Sequence, residues 1–281
     1  MKTKHLVVIG DSRNMRELGD ESVHLVVTSP PYFNVKNYGN VRGNIGAIDD
    51  YLSYLRSLET VFRECYRVLQ TGRYICVNIS DIISGGRKYP IPSHCVFLLE
   101  QAGFTYRDDI LWKKPDGISS GSGKRFGVLM QNPYPMYYYP NNIYEHILVF
   151  RKGTFNFRLP TNQQKRDAKL DMEEARRRWN TDIWSMVPEI VNQFTKGIHP
   201  AMFPEELPEG LIRLYTYKDE TVLDPFLGSG TTTKVAKALD RNSAGYEVNR
   251  DYLPTIRRKA GFENSCGLEV KYRGVDGYGK G

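Results

Sequence analysis

The sequence predicts an α/β fold with a doubly wound, mostly parallel sheet and an irregular inserted region. Short apolar runs such as 6–9 and 24–28 are bounded by turn residues, which is typical of buried parallel strands. They alternate with segments in which apolar residues recur at helical spacing. Because alternating strands and helices place helices on both faces of a parallel sheet, we expect that architecture here.

Each element follows from a local pattern. The first long helix, 49–69, has apolar residues three or four positions apart, an aspartate at its start and Gly72 beyond its end. The second helix ends before Gly103. The predicted strands are 6–9, 24–28, 74–79, 104–112, 144–150, 221–223 and 244–247. The predicted helices are 49–69, 92–101, 204–217 and 231–239.

Residues 116–140 interrupt this alternation. Gly and Ser dominate the first part of the segment, and Pro and Tyr dominate the second, which predicts long loops. We therefore expect a main domain in two parts, 1–115 and 191–281, separated by an irregular region at 116–190.

The charge balance favours a polyanionic partner. The 281 residues carry a formal net charge of +7, and the sequence pI is about 9.1. Nine Lys/Arg and four Asp/Glu fall between residues 151 and 180, which accounts for most of the excess. Two interpretations stay open for this segment: a surface that contacts phosphates, and a solvated helix face with i,i+4 charge pairs.

Composition excludes several classes of protein. Hydrophobic residues make up 40% of the chain, yet no apolar run approaches the ~20 residues of a membrane helix. The first residues lack the apolar stretch of a secretory signal, so we expect a cytoplasmic protein without a membrane partner. The four cysteines form no CxxC pair and no metal-ligand spacing, so we expect reduced thiols and no metal.

The segment 221–247 has the pattern of a nucleotide-binding half-unit. A strand ending at Asp224 is followed by a turn with Gly228 and Gly230, a helix, and a second strand that ends in an acid. That acid, Glu247, lies 19 residues after Gly228, where a carboxylate can accept both ribose hydroxyls. The third glycine of the dinucleotide pattern is Thr233 here, and no phosphate loop exists. A nucleoside with a short tail, such as S-adenosylmethionine, therefore fits better than a diphosphate.

A second motif follows the strand at 24–28. It consists of Ser29, Pro30, Pro31 and Tyr32 at the strand's carboxyl end, where open α/β sheets bind ligands. Two prolines stiffen the turn and remove donors, which leaves carbonyls to accept hydrogen bonds. The Ser29 hydroxyl and the Pro30 carbonyl can both accept from an amino group on a planar ring. The Tyr32 ring offers a face for stacking of such a ring, which is worth roughly 1–3 kcal/mol.

These motifs, in this order, resemble those of the amino-methylating DNA methyltransferases of restriction–modification systems, in the permuted β-type arrangement. The resemblance extends over nearly the whole chain and includes Gly10-Asp11, the strand at 109–115 and the helix start at 199–207. It implies a Rossmann-like fold that binds S-adenosyl-L-methionine, with Asp11 at the adenine and Glu247 at the ribose. The cofactor residues implied by motif and resemblance together are Asp11, His199, Phe203, Asp224, Phe226, Gly228, Gly230, Thr231, Thr232 and Glu247.

The same resemblance implies that 116–190 is the target recognition region and that the partner is double-stranded DNA. A homodimer and a cognate restriction endonuclease are further partners that we expect. The base must be flipped out of the duplex to reach the proline turn. The basic residues that we predict to contact DNA are Lys113, Lys124, Arg125, Lys165, Arg166, Arg176, Arg177 and Arg178.

Ser-Pro-Pro-Tyr favours cytosine-N4 as the methylated amino group and resembles the cytosine-N4-specific group of the family. Adenine-N6 is the alternative. Methylation of a cytosine ring carbon needs a cysteine nucleophile, and no cysteine lies in either motif. An inactive DNA-binding protein and an amino-methylase of RNA or of a protein glutamine are the other classes. The intact motifs argue against the first, and the basic insertion argues against a protein substrate.

Overall fold

A computed structural model describes residues 3–34, 41, 43–115, 134–136, 142–186, 203–262 and 267–273. Within these ranges the strands are β1 (His5–Ile9), β2 (Val23–Thr28), β3 (Leu69–Ile79), β4 (Ile82–Ser84), β5 (Arg87–Tyr89), β6 (Thr105–Lys113), β7 (Tyr144–Arg151), β8 (Ile183–Ser185), β9 (Thr221–Asp224), β10 (Asn242–Glu247) and β11 (Leu268–Tyr272). The α-helices are α1 (Tyr51–Val68), α2 (Ile91–Gln101), α3 (Asn162–Asp167), α4 (Met172–Trp179), α5 (Glu206–Tyr215), α6 (Thr231–Ala238) and α7 (Leu253–Lys259).

The main sheet has nine strands in the order β11-β1-β10-β9-β2-β3-β7-β6-β8, and β4 pairs only with β5. Neighbouring strands run parallel except at β7, which is antiparallel to both β3 and β6. The mostly parallel α/β architecture that the sequence predicts is therefore confirmed. The short strands β4, β5, β8 and β11 and the helices α3 and α7 were not among the predicted elements.

Helices cover both faces of the sheet. On one face, α1 and α2 bury residues such as Leu58, Phe62 and Leu99. On the other face, α5 and α6 bury Leu211 and Val235. Each fully buried side chain of this size contributes about 1.5–3 kcal/mol, so the two apolar layers hold the helices to the sheet. In the described ranges, none of the helices is long and apolar enough to cross a membrane.

The structure changes the boundaries of the irregular region. Strand β7 falls inside the predicted segment 116–190, yet it lies within the main sheet between β3 and β6. It therefore belongs structurally to the main domain. A role of the remaining parts of 116–190 in target recognition stays a prediction.

The register of β6, β7 and β8 fixes where the chain leaves the sheet. Lys113 pairs with both Tyr144 and Ser185, at the edge where the parallel strands have their carboxyl ends. The connection 114–143 therefore begins and ends at that carboxyl edge, and the connection 186–205 begins there. Arg151 pairs with Tyr74 near the start of β3, so the chain from 152 onward starts at the opposite, amino edge.

Three cysteines, Cys65, Cys76 and Cys95, are free and buried among the described residues. Burial raises the pKa of each thiol. The fourth, Cys266, lies outside the described residues. No group of three or more His, Cys, Asp or Glu side chains suited to a metal ion occurs in the part of the chain that the structure describes.

Candidate active site

The proline turn is held from two sides. Thr28, the last residue of β2, donates its hydroxyl to Asp224 at the end of β9, over 2.8 Å. From helix α1, the Tyr54 hydroxyl donates to the Pro31 carbonyl over 3.0 Å. Ser29 and Pro30 lie between these two anchors, so their acceptor oxygens project from a braced segment of backbone.

The Asp224 carboxylate stabilises the turn that contains Gly228 and Gly230. Its two carboxyl oxygens accept from the hydroxyls of Thr28 and Thr232, and from the backbone N–H of Phe226 at 3.0 Å. Burial raises the pKa of this carboxyl to about 6. Gly230, with φ +87°, turns the chain into α6, and a Cβ there would lie 3.1 Å from Ile256. Strand β9, the turn and the start of α6 are thus one tightly packed unit.

Glu247 ends β10 beside this turn. One oxygen of its carboxylate accepts from the Gly228 N–H at 2.9 Å, and the other accepts from the Asn249 N–H at 2.8 Å. Burial raises the pKa of Glu247 to about 7, with a further raising effect from the nearby charge of Asp224. Two backbone donors therefore orient the carboxylate, whose remaining lone pairs can accept from a ligand.

Asp11 lies in the loop after β1, across the cleft from the glycine turn. Its carboxylate accepts from the backbone and the guanidinium of Arg13, with the shortest contact at 2.6 Å. Arg273, beyond β11, donates to the Asp11 carbonyl at 2.8 Å and is itself paired with Glu17. Strand β11 therefore supports the Asp11 loop, which the sequence did not predict.

These elements surround one cleft of about 630 Å³, part of it open to solvent, at the carboxyl edge of the sheet. The predicted site residues on its wall are Asp11, Ser29, Pro30, Pro31, Phe226 and Glu247. The proline turn and Glu247 at the end of β10 are at least 215 residues apart in sequence, and the fold brings them to one cleft. The arrangement can hold a nucleoside beside an amino group that the proline turn accepts.

The chain matches a known family of enzymes. Residues 23–258 match the N6/N4 methyltransferase family, which is described as DNA methylase. The chain belongs to this family. Type II methyltransferase M.MjaI of Methanocaldococcus jannaschii is 36% identical over 293 residues, covering 93% of this chain and 92% of that relative. M.MthZI of Methanothermobacter thermautotrophicus is 30% identical over 98% of this chain and 82% of its own.

The fold of the methylase also matches solved structures. TTHA0409 of Thermus thermophilus, assigned as a DNA modification methylase and solved in complex with S-adenosyl-L-methionine, superposes with a TM-score of 0.73. It is 28% identical, and the match covers 96% of this chain and 99% of that one. M.MjaI and M.MthZI are type II methyltransferases, so the family is of the restriction–modification type.

Other predicted cofactor residues of the methylase lie behind the cleft wall. Among the described residues, Thr231, Thr232 and Asp224 are buried beneath the turn, and they support it instead of facing the cleft. Gly228 acts through its backbone N–H on Glu247. Phe203 packs against the apolar layer under α5. His199, Lys124 and Arg125 lie outside the described residues, so their roles stay predictions.

The Tyr32 ring does not offer the open face that the sequence suggested. It is only 5% exposed and belongs to the core on the α1 face of the sheet. Its hydroxyl donates to the carboxylate of Glu145, in β7, at 3.2 Å. The stacking role of Tyr32 in the methylase stays a prediction. The sequence did not predict that this ring is buried or that its hydroxyl is bonded to Glu145.

Sequence reasoning also missed several cleft residues, among them Asn44, Ile45 and Tyr252. Asn44 and Ile45 belong to a short 3-10 turn, which Asn44 caps by accepting from the Gly46 N–H at 3.0 Å. Tyr252 follows Glu247 by five positions and also lines the cleft. An aromatic residue soon after an acidic strand end could have signalled Tyr252. The 3-10 turn leaves no comparable pattern.

The predicted DNA contacts of the methylase fall into different places. Lys113 is exposed at the carboxyl edge, near the cleft end of the sheet. Lys165 and Arg166 lie in α3, in a segment that packs near Gly72 and Tyr217 at the amino edge. A strand rises about 3.3 Å per residue, so the full length of the strands separates these two residues from the cleft at the opposite edge of the sheet. This placement argues against contact of these two residues with a duplex bound at the cleft.

Arg178 is also not a free phosphate ligand. Its guanidinium pairs with Glu174 at 2.7 Å and with Glu209 of α5 at 2.9 Å. It therefore joins α4 to α5, through one i,i+4 pair within α4 and one pair to the neighbouring helix. The neighbouring Arg176 and Arg177 are exposed.

The exposed Arg176 and Arg177 can be compared with the ion-paired Arg178 in one experiment. We expect Arg176→Gln with Arg177→Gln to lower the slope of DNA affinity against salt, by up to about 0.9 per lost phosphate contact. Arg178→Gln should instead lower the melting temperature and leave the slope unchanged, because it leaves Glu209 with one partner fewer. Fluorescence anisotropy over a salt series and thermal melting measure the two effects. An unchanged slope in the double variant would make α4 a solvated face only.

Proposed function

We propose that this DNA methylase transfers a methyl group from S-adenosyl-L-methionine to the N4 amino group of a flipped cytosine in duplex DNA. The observation that carries the proposal is that Ser29 and Pro30 share one cleft with Glu247 and Asp11. An acceptor pair for an amino group thus lies next to an acceptor pair for a nucleoside. The reaction needs both kinds of group at one site.

The cofactor half of the cleft suits S-adenosyl-L-methionine, which supplies a sulfonium methyl group when bound. Glu247 would accept the two ribose hydroxyls, since Gly228 and Asn249 hold its carboxylate in place. Asp11 would accept from the adenine amino group, and Phe226 supplies an apolar wall. The bound cofactor in the structure of the Thermus thermophilus relative supports this assignment.

The substrate half of the cleft acts on the amino group. The Ser29 hydroxyl and the Pro30 carbonyl would accept its two hydrogens and so draw the nitrogen lone pair out of conjugation with the ring. Thr28, Asp224 and Tyr54 brace this turn, so the acceptors need little reorganisation when the base arrives. A neutral hydroxyl in place of a carboxylate or an amide favours cytosine-N4, with adenine-N6 as the alternative.

Double-stranded DNA is the substrate that we propose, with target recognition by parts of 116–190. The connection 114–143 starts and ends at the carboxyl edge of the sheet, where the cleft also lies, and the connection 186–205 starts there. Contacts to base edges in these connections would select the site. We further propose that the enzyme works in the cytoplasm of a prokaryote beside a cognate endonuclease, as the type II relatives suggest. A homodimer stays an expectation.

A substrate comparison tests the proposal. The protein is incubated with tritium-labelled S-adenosyl-L-methionine in three separate reactions. One contains plasmid DNA, one contains ribosomal RNA, and one contains a protein mixture. We expect label in duplex DNA, at a level that the Glu247→Gln variant does not reach. Label in RNA or protein but not in DNA would contradict the proposed substrate class.

A further inference from the structure

A buried ion pair lies directly behind the proline turn. Lys114 follows β6, and Glu145 lies near the start of β7; their Nζ and Oε1 atoms are 2.6 Å apart. Both side chains are less than a tenth exposed. The other oxygen of Glu145 accepts from the Tyr32 hydroxyl at 3.2 Å. Removing two charges from water is costly, so a pair placed here needs a compensating role or an excellent fit.

We propose that Lys114 and Glu145 are positioning residues for Tyr32 in the methyl-transfer reaction. They fix the hydroxyl of the tyrosine and, through it, the plane of the ring that directly follows the cleft-lining Pro31. This inference rests on the proposed function, because that function places the flipped base at the proline turn.

The pair is well suited to hold a side chain still. The Lys114 N–H bonds to the Ile143 carbonyl at 2.8 Å, and its ammonium lies 4.8 Å from the centre of the Trp112 ring. The Trp112 indole N–H in turn donates to the Met186 carbonyl at 3.0 Å. The support therefore ties Tyr32 to the starts of both connections that leave the carboxyl edge. These are the connections in which we propose DNA recognition.

If Lys114 and Glu145 position Tyr32, then changing them should lower the rate of methyl transfer. A misplacement of about 1 Å at a reacting group can cost on the order of 100-fold in rate. Tyr32 is carried by the turn after β2, whereas its hydroxyl is held from β7. Loss of that hydrogen bond should therefore lower kcat while leaving the cofactor side of the cleft, formed by other strands, unaffected.

The test compares two variants that each break one buried ion pair. Glu145→Gln removes the charge behind Tyr32, and Glu220→Gln removes that of the Arg73–Glu220 pair, which is equally buried at the amino edge. Methylation of plasmid DNA gives kcat and the KM for DNA, calorimetry gives the Kd for S-adenosyl-L-methionine, and melting gives Tm. We expect both variants to lower Tm, but only Glu145→Gln to lower kcat, by about tenfold or more, with an unchanged cofactor Kd.

A second variant keeps the test decisive if Glu145→Gln does not fold. Tyr32→Phe removes one oxygen and leaves the ring, so it should reproduce the loss of kcat. When the Glu145→Gln protein folds, combining both changes should cost no more than Tyr32→Phe alone, because both act on the same contact between residues 32 and 145. A kcat within about twofold of wild type for Tyr32→Phe would overturn the proposal. Absence of methylation by the wild-type protein would instead reject the proposed function on which it rests.

Discussion

Replacement of Ser29 by alanine should reduce methylation by about 100-fold or more while leaving cofactor binding nearly intact. Loss of one placed hydrogen-bonding group at a reacting centre costs this much in well-studied enzymes. The Ser29 hydroxyl lies on the substrate side of the cleft, and the acceptors for the cofactor are Glu247 and Asp11. Single-turnover methylation of plasmid DNA and calorimetry with S-adenosyl-L-methionine measure the two effects separately.

The matched control is Ser185→Ala, at an exposed serine of the edge strand β8. It should keep the wild-type rate and cofactor affinity. Equal losses of rate and cofactor affinity in Ser29→Ala would contradict the assigned role. Such a result would mean that the serine supports the cleft as a whole.

Replacement of Glu247 by glutamine should weaken binding of S-adenosyl-L-methionine by about 10- to 100-fold. Hydrogen bonds to a charged acceptor contribute about 1.5–3 kcal/mol, and the amide loses that charge. It also turns one acceptor into a donor facing the N–H of Gly228 or Asn249. Calorimetric titration at pH 8 measures the affinity. The exposed Glu269→Gln serves as control and should bind normally.

The same variant should change the pH dependence of stability. Burial raises the pKa of Glu247 to about 7 from 4.5, so the native state binds this proton more tightly than the unfolded chain does. This group therefore makes the free energy of unfolding fall as pH rises from about 4.5 to about 7. Between pH 6 and pH 8 the expected contribution is about 1 kcal/mol. Glu247→Gln removes it, so its stability relative to wild type should be higher at pH 8 than at pH 6.

Other buried groups titrate in the same window. Burial lowers the pKa of His5 and of His24 to about 4, so these two groups make stability rise with pH between about 4 and 6.5. Both histidines are present in wild type and variant, so their contributions cancel in the difference between the two proteins. That difference reports Glu247 together with its interaction with the nearby charge of Asp224. Urea unfolding at the two pH values gives that difference. An equal difference at pH 6 and pH 8 would show that Glu247 is already fully ionised in the native state.

The long elements of the fold were predictable because their patterns are local. Strand β2 is a run of apolar residues, and α1 carries one buried face behind Asp50, whose side chain accepts from the Ser53 N–H. Strand β11, by contrast, is largely exposed and has no such run. The antiparallel insertion of β7 between β3 and β6 depends on pairing across the sheet, which no local pattern records.

In the candidate site, too, local features could be predicted from the sequence and contacts between distant residues could not. The motifs placed Ser29 and Glu247 correctly on one cleft, because turn chemistry and strand ends can be identified from short segments. The contacts that brace them could not be found this way. Thr28 meets Asp224 over 196 positions in the chain, and Tyr32 meets Glu145 over 113. Charge counting likewise could not distinguish Arg178, which is engaged by Glu209, from the exposed Arg176.

Nucleoside mass spectrometry tests the central claim most directly. Plasmid DNA is incubated with the protein and S-adenosyl-L-methionine, digested to nucleosides, and separated so that the methylated cytosines are resolved from one another. We expect N4-methylcytosine, and about 100-fold less of it from the same reaction with Ser29→Ala. N6-methyladenine would contradict the assignment of the base while keeping the amino-group mechanism. No methylated base at all would contradict the proposed enzyme.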